Sequence, residues 1–392
     1  MSAARPTPLA AGLALAAGLA FAAGLALAPL SARADDIERN FAGSAQLDYL
    51  GVLTESPARP LGFDGFTTEL SLKLAVDFTE HLSASVKVCY GCHGFETNMA
   101  YVDLRADDLL NVRVGRIVPA FGDFPLRADP ANHRASSKPL PYDMGRMLRK
   151  DDWNLGVLPA PYVDNGVEVS GSHWFGRDVQ VGYAAYIVSG LKGSAAGFDV
   201  DFVESRSGSL YYVDNNSEPA VGGRVSATAN LGPGVSVSVG VSAMAGRYDR
   251  DATLGYQLGG VDLFARLGRL VLRGEYLFRR TELERGERPE ERFRYAFLDP
   301  GKTFFVKDGF YAEAELPLWP SLEVFARFDG LGRRGNVAAT SALRSESRVF
   351  RTTAGVNWSI VRGLRLKLSA EVWDFSDFED EVALHAGVVA SF

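Results

Sequence analysis

The sequence predicts an all-β fold: one antiparallel transmembrane β-barrel of about 16 strands, with a long loop that folds inward. Three observations carry this expectation. Apolar and polar residues alternate with period two in many segments, the connections between those segments alternate short and long, and the chain ends on an alternating stretch closed by an aromatic residue. The composition agrees, because Gly 41, Phe 24 and Tyr 14 are plentiful while Cys 2 and Met 5 are scarce, which suits many short strands and turns. Charged residues make up 23% of the 392, which fits neither a disordered polyelectrolyte nor a helical membrane protein. Lys+Arg 41 against Asp+Glu 48 gives a net charge of -7, without the basic excess of a nucleic-acid binder.

The first segment is an export signal rather than part of the fold. Arg5 supplies a positive start, and Leu9 to Leu30 is an uncharged Ala/Leu/Gly run. The small-x-small site Ala32-Arg33-Ala34 follows, and then Asp35-Asp36. A membrane-anchoring helix is the alternative, since the run is long enough to span. The Ala-x-Ala site and the acids after it favour a cleaved signal peptide over 1–34, leaving 35–392 as the exported barrel. No later apolar run reaches spanning length, which excludes a polytopic helical protein but not a barrel, whose strands hide their hydrophobicity in alternation.

The strands follow in order. Candidates lie near 42–54, 64–78, 82–91, 96–105, 109–117, 163–174, 178–189 and 220–230. The remainder lie near 234–245, 254–266, 269–281, 308–316, 321–330, 347–358, 363–373 and 381–392. The alternation is clearest in Leu364-Arg365-Leu366-Lys367-Leu368-Ser369-Ala370-Glu371-Val372, where apolar even positions oppose polar odd ones. Leu70, Leu72, Leu74, Val76 and Phe78 likewise oppose Glu69, Ser71, Lys73 and Asp77. A sandwich in water also alternates, so the connections decide. Short ones such as Thr79-Glu80-His81, Leu267-Gly268 and Pro317-Leu318-Trp319-Pro320 alternate with long ones near 118–162, 190–219, 282–307 and 331–346. Short turns at one end and long loops at the other are the layout of a bacterial outer-membrane barrel, and an even strand count puts both termini on the periplasmic side.

Aromatic residues extend the pattern. Phe78, Trp174, Trp319 and Trp358 fall at or near short turns, where a periplasmic interface girdle is expected, and Trp373 at the opposite end of its strand suits the external girdle. The last stretch, Val382 to Phe392, resembles the terminal recognition strand of outer-membrane barrels generally.

The longest connection opens as Gly115-Arg116-Ile117-Val118-Pro119-Ala120-Phe121-Gly122. Here the chain resembles the porin O/P-like family, in which a strand ending Gly-Arg leads into a Pro-x-Phe-Gly loop. The motif covers about a dozen residues, while the strand architecture covers nearly the whole mature chain. The resemblance implies that 118–162 folds inward and narrows a channel, and that small solutes or ions pass by diffusion. Porins of this size are commonly trimers, so a homotrimer is among the assemblies it implies. The loop carries six basic residues (Arg127, Arg134, Lys138, Arg146, Arg149, Lys150) against five acids, a near-neutral sum that departs from the phosphate-selective members. The competing reading is that these charges only pin an external loop. Lys73, Lys87, Arg113, Arg116 and Arg127 are the expected pore-lining cations, Arg113 and Arg116 foremost among them.

A second feature is sharper. The two cysteines fall in Cys89-Tyr90-Gly91-Cys92-His93, the C-x-x-C-H signature of c-type haem attachment. Two thiols add across the porphyrin vinyl groups, and the adjacent imidazole becomes the proximal iron ligand. Two randomly placed cysteines would give this spacing with a following His on the order of once in ten thousand chains. The alternatives are a disulfide closing a hairpin, a redox-active C-x-x-C pair, and a zinc site needing further ligands. Val86, Val88 and Tyr90 continue the lipid-facing side, so Lys87 and Cys89 are expected to point into the lumen. His133, Met144 and Met147 on the long loop are the candidate distal iron ligands. The combination resembles porin–cytochrome conduits and fused monohaem cytochrome–porins, which implies redox partners among periplasmic or surface cytochromes. It departs from the fused forms in that the motif is embedded in a hairpin, with no cytochrome domain ahead of the barrel.

No Gly-x-Ser-x-Gly, Walker loop or His-Glu-x-x-His occurs, and no Ser/His pair stands out beside inward carboxylates such as Glu313 and Glu315. The sequence therefore predicts a non-enzymatic outer-membrane channel for small solutes or ions, carrying one covalent haem c at its mouth. The alternative is a haem-bearing barrel for electron transfer.

Overall fold

The computed structural model describes residues 37–54, 65–91, 94–144, 148–149, 156–193, 202, 205, 212–282, 295–296, 304–334, 337–338, 343–344 and 346–392. The predicted signal segment 1–34 and the residues Cys92, His93 and Met147 lie outside the described residues.

Alternation and turn chemistry produce a closed antiparallel barrel of sixteen strands. They are β1 (Glu38–Val52), β2 (Gly65–Thr79), β3 (Leu82–Gly91), β4 (Gly94–Asp107), β5 (Leu110–Ile117), β6 (Asp164–Phe175), β7 (Val179–Val188) and β8 (Ala220–Gly232). The second half is β9 (Val235–Arg247), β10 (Gly255–Leu267), β11 (Leu270–Glu282), β12 (Phe304–Trp319), β13 (Leu322–Arg334), β14 (Glu346–Val361), β15 (Leu364–Phe375) and β16 (Glu381–Ser391). Each strand pairs with its sequence neighbours, and β1 closes the ring against β16 from Ser44↔Ser391 to Val52↔Ala383. At that seam Gly43 and Phe392 exchange backbone hydrogen bonds of 3.0 and 3.1 Å, and the Phe392 ring meets Phe41 with centroids 5.4 Å apart. Every predicted strand is present, with ends displaced by a few residues.

The short turns all lie at the end of the barrel that holds the C-terminus. Gly268 opens one of them at φ 63, the left-handed conformation that a two-residue hairpin turn needs at its first position. Outward residues such as Val86, Val88, Val239, Val241, Leu368 and Val372 are exposed and apolar. An apolar wall of this extent is matched by lipid and not by water, so the barrel spans a membrane.

The core lies inside the barrel. From Val118 the chain turns into the lumen, and two short 3-10 turns, Phe124–Arg127 and Leu140–Tyr142, each carry a proline as second residue, where no intrahelical amide is needed. Phe121, Phe124, Leu140, Tyr142 and Leu158 are almost fully buried against inward wall residues. The predicted inward loop is thus present, but it is not alone. Leu191, Lys192 and Phe202, from the connection after β7, are buried as well. The Phe202 ring lies 5.1 Å from Tyr248 and 5.3 Å from Tyr256, with the Arg279 guanidinium 4.9 Å from its face.

Two girdle assignments change. Trp373 is wholly buried in the lumen, stacked on Phe375 at 5.9 Å, with Arg351 over its ring and its indole N–H donated to Glu371. It occupies an odd position of β15, and odd positions there face inward. Trp174 shares the alternation of Glu168, Ser170 and Ser172, so it stands on the luminal side of the rim. Trp319 does point outward, because a register shift between Pro317 and Trp319 re-aims it beside Leu322. Single-tryptophan variants reconstituted with brominated lipids should therefore show strong quenching for Trp319 and Trp358 and little for Trp373. Equal quenching of all three would contradict the inward assignment.

Candidate functional site

A loop inside a barrel must find partners for its own amides and carbonyls, because the wall strands have already paired theirs. Inward side chains of the wall supply them. Glu275, in the middle of β11, accepts the backbone N–H groups of Asp123 at 3.1 Å and Phe124 at 2.7 Å. It also accepts the hydroxyls of Tyr142 at 2.5 Å and Tyr311 at 2.7 Å. Burial and the adjacent Glu275 hold the Tyr142 phenol well above its usual range, so it stays a donor. The N–H of Gly122 donates to Ser242 Oγ at 3.0 Å, and that of Ala120 to Glu168 at 2.8 Å. Gly122 sits at φ 66, and a Cβ there would collide with the Glu275 carboxylate and the Tyr142 hydroxyl. This accounts for the glycine of the Pro-x-Phe-Gly sequence.

On the adjoining wall, from β12 round to β1, the anchors form a belt of alternating charge. Arg327 lies 3.6 Å from Glu313 and 3.1 Å from Asp329, and Arg351 lies 2.6 Å from Asp329 and 3.7 Å from Glu371. His385 then bridges Glu371 at 3.5 Å and Asp48 at 2.8 Å, carrying the belt from β12 to β1. The belt holds the loop at several points. Asp329 accepts the Leu140 N–H at 3.0 Å, and Arg351 donates to the Lys138 carbonyl at 2.6 Å. Arg327 donates to the Ser137 carbonyl at 3.1 Å, and the Ser137 hydroxyl is bonded to Glu371. Below it, Lys367 Nζ donates to the carbonyls of Pro130 at 2.6 Å and His133 at 2.9 Å. Glu313 and Glu315 belong to this ion-pair system, as partners of Arg327 and of Arg273 and Arg134.

The half-exposed inward side chains lie mainly on β5 to β11, so the open part of the described lumen runs between the loop and that wall. Its charges are arranged unevenly. Arg113 keeps 25% of its side chain exposed while its partner Glu168 keeps 4%, and Arg224 keeps 17% against 4% for Asp262. Arg273 keeps 16% against 5% for Glu315. These three guanidinium groups therefore stand nearer the open side than the carboxylates named, while Asp123, beside both Arg127 and Arg273, and Asp129, beside Lys87, are more exposed than their cations.

The expected pore cations separate into kinds. Arg113 lies in the open lumen, over the Tyr101 ring at 4.7 Å. Lys73 is half-buried on the inward side of β2, paired in register with Lys87. Lys87 also points inward but is buried, bound to Asp129 of the loop at 2.5 Å, so it is a staple and does not line open space. Arg116 is likewise drawn to the wall, because Gly115 at φ 133 breaks the alternation and Arg116 Nε donates to the Thr97 carbonyl at 2.7 Å. Arg127 reaches from the loop to Asp123 at 2.7 Å and the Tyr311 hydroxyl at 3.3 Å.

Cys89 faces inward, as the alternation requires, and lines a cavity of about 70 Å³ together with Ser71, Asn98, Asp129, Lys138 and Met144. Asn98 reaches this cavity because it is the bulged residue of β4, where the register jumps between Lys87 and Val88. Of the three candidate distal ligands, Met144 shares the cavity, with its sulfur 3.8 Å from Lys138 Nζ. His133 is absent from that lining: its Nδ1 lies 2.8 Å from the Ala135 carbonyl and its ring 5.8 Å from Phe124. Burial and the nearby Lys367 keep it neutral, well below the usual histidine range. Cys92, His93 and Met147 lie outside the described residues.

No family model matches this chain, and no curated protein does. Solved structures do. The anion-selective porin from Comamonas acidovorans is similar over 91% of this chain and 100% of its own, at 14% identity and a TM-score of 0.55. The outer membrane channel DcaP of Acinetobacter baumannii is similar over 92% and 99%, at 11% identity and 0.55. OprB of Pseudomonas putida is similar over 90% and 94%, at 8% identity and 0.54. At these identities the likeness is one of fold, the closed outer-membrane porin barrel.

The anchoring of the loop has a measurable consequence. Glu275→Ala strands two loop amides and two phenols, at about 1–3 kcal/mol for each unsatisfied donor. Trypsin should then cut the folded barrel after Arg127 or Arg134 while sparing those two bonds in the wild type, and Gly122→Ala should behave alike. Identical digestion of all three would show that Glu275 does not hold the loop.

Proposed function

We propose that the chain is a bacterial outer-membrane porin, a non-enzymatic channel for the passive diffusion of small solutes or ions, narrowed by the loop over 118–162. The observation that carries this reading is the combination of a lipid-matched outer wall with a loop bound inside the barrel beside a half-exposed, charged lumen. Its charge asymmetry biases which ions pass more than the near-neutral sum of the loop suggests. Residues 1–34 serve as the export signal in this reading, and the porin O/P-like resemblance and a trimeric assembly belong to it. The test is single-channel recording in planar bilayers. Discrete ohmic steps are expected from the purified barrel, and a correctly folded but silent barrel would sink the proposal.

The pentapeptide Cys89-Tyr90-Gly91-Cys92-His93 supports a second reading, one covalent haem c, with partner cytochromes for electron transfer. In its favour, the Cys89 thiol looks into the lumen and the Met144 thioether lines the same cavity. Against enclosure, that cavity is about 70 Å³, while pockets that bury a cofactor run to about 300–1,000 Å³, so the described walls do not fit a porphyrin and no electron path follows from them. The absorption spectrum and intact mass of protein from a host able to attach haem decide between the chemistries. Haem attachment requires a Soret band that sharpens on reduction, one haem of added mass on a chain beginning at Asp35, and loss of both in Cys89→Ala. A colourless chain two hydrogens light makes the cysteines a disulfide.

A further inference from the structure

A cavity of about 360 Å³ opens at the short-turn end of the lumen, away from Cys89 and from the Glu275 anchor. Its walls are the turns before β13 and β15 and the end of β16, and Ala131 of the inward loop closes its roof. Three features of the lining point to a ligand. The cavity is lined by two arginines, Arg362 and Arg365, and three serines, Ser321, Ser359 and Ser391. It contains no Asp or Glu, in a chain where acids outnumber bases. Arg365, moreover, points inward and half-buried without an ion-pair partner among the described residues. It makes one hydrogen bond, from Nη1 to the Ala131 carbonyl at 3.3 Å. The acids nearest to it, Glu315 and Glu323, are already bound to Arg134.

A half-buried cation beside a like charge is costly unless an anion reaches it. The planar fork of a guanidinium matches two oxygens of a carboxylate or phosphate, and the serine hydroxyls supply further donors. We propose that this cavity is an anion subsite at the periplasmic mouth of the lumen, holding the carboxylate or phosphate group of a small solute between Arg365 and Arg362. Its role in transport rests on the porin reading; its binding does not. Because Ala131, Arg365 and Val389 put the site on the luminal side, the ligand is a dissolved solute and not the phosphate of a lipid headgroup.

The test is equilibrium binding of citrate and of inorganic phosphate to the folded, detergent-purified protein by isothermal titration, followed by reversal potentials in planar bilayers. The expected result is citrate binding at millimolar concentrations, weakened about tenfold or more in Arg365→Gln and restored in part by Arg365→Lys. Arg362→Gln, on an exposed turn with no fold to disturb, should weaken it less but measurably. The anion-to-cation permeability ratio should fall in the same variants. Unchanged binding in both glutamine variants, or binding only of a phosphatidylglycerol headgroup, would overturn the subsite. A silent barrel that still binds citrate through Arg365 would instead remove the porin reading and leave the site standing.

Discussion

The structure depends on one requirement: the backbone of a chain segment inside a barrel must find its hydrogen bonds within itself or from side chains, since the wall strands have already paired their amides and carbonyls. Glu275 meets it on β11 by accepting two loop amides, and Asp329 and Arg351 meet it on nearby strands at Leu140 and Lys138. Burying so many polar groups is expensive, and it is tolerated because the belt members stand beside opposite charges while Glu275 and Lys367 are surrounded by hydrogen-bond partners. The pairing also makes the arrangement intolerant, because removing one member of a buried pair leaves the other exposed to a cost of about 3–5 kcal/mol. Loop position, lumen width and the direction of the open side all follow from where these carboxylates and guanidiniums stand.

The strands were legible because their signal is local. Alternation along Leu364 to Val372 and the short turns need only neighbouring residues to be read. The inward aim of Cys89 and Lys87 followed from the same rule. The anchors were not legible, because their partners are far off in the chain: Glu275 holds Phe124, and Lys367 holds His133. The signal that was present lay in isolated charges at inward positions in mid-strand, such as Glu275, Asp329 and Arg351. Trp373 shows the opposite failure. Its odd position already put it inside, and the expectation of an interface girdle outweighed the alternation. Arg116 and Asn98 escaped for a third reason, since a left-handed glycine and a bulge change which way a side chain points without changing the hydrophobic pattern.

Counting the charges of the loop describes only part of the lumen, for a related reason. The loop sum is nearly neutral, yet neutrality of a pair says nothing about which member meets water. Where Arg113, Arg224 and Arg273 stand in front of buried carboxylates, the field in the gap is that of the arginines, softened by the acids behind them. A pore of balanced composition is electrically lopsided when one sign is recessed.

The belt also crosses the seam. His385 on β16 reaches Asp48 on β1, and Lys367 on β15 reaches Gln46 at 3.2 Å, so strands from the two ends of the chain contribute to one docking surface for the loop. That surface is incomplete until the first and last strands have met. The loop's full set of partners therefore exists only in the closed ring, and the seated loop rests on both sides of the seam like a clasp.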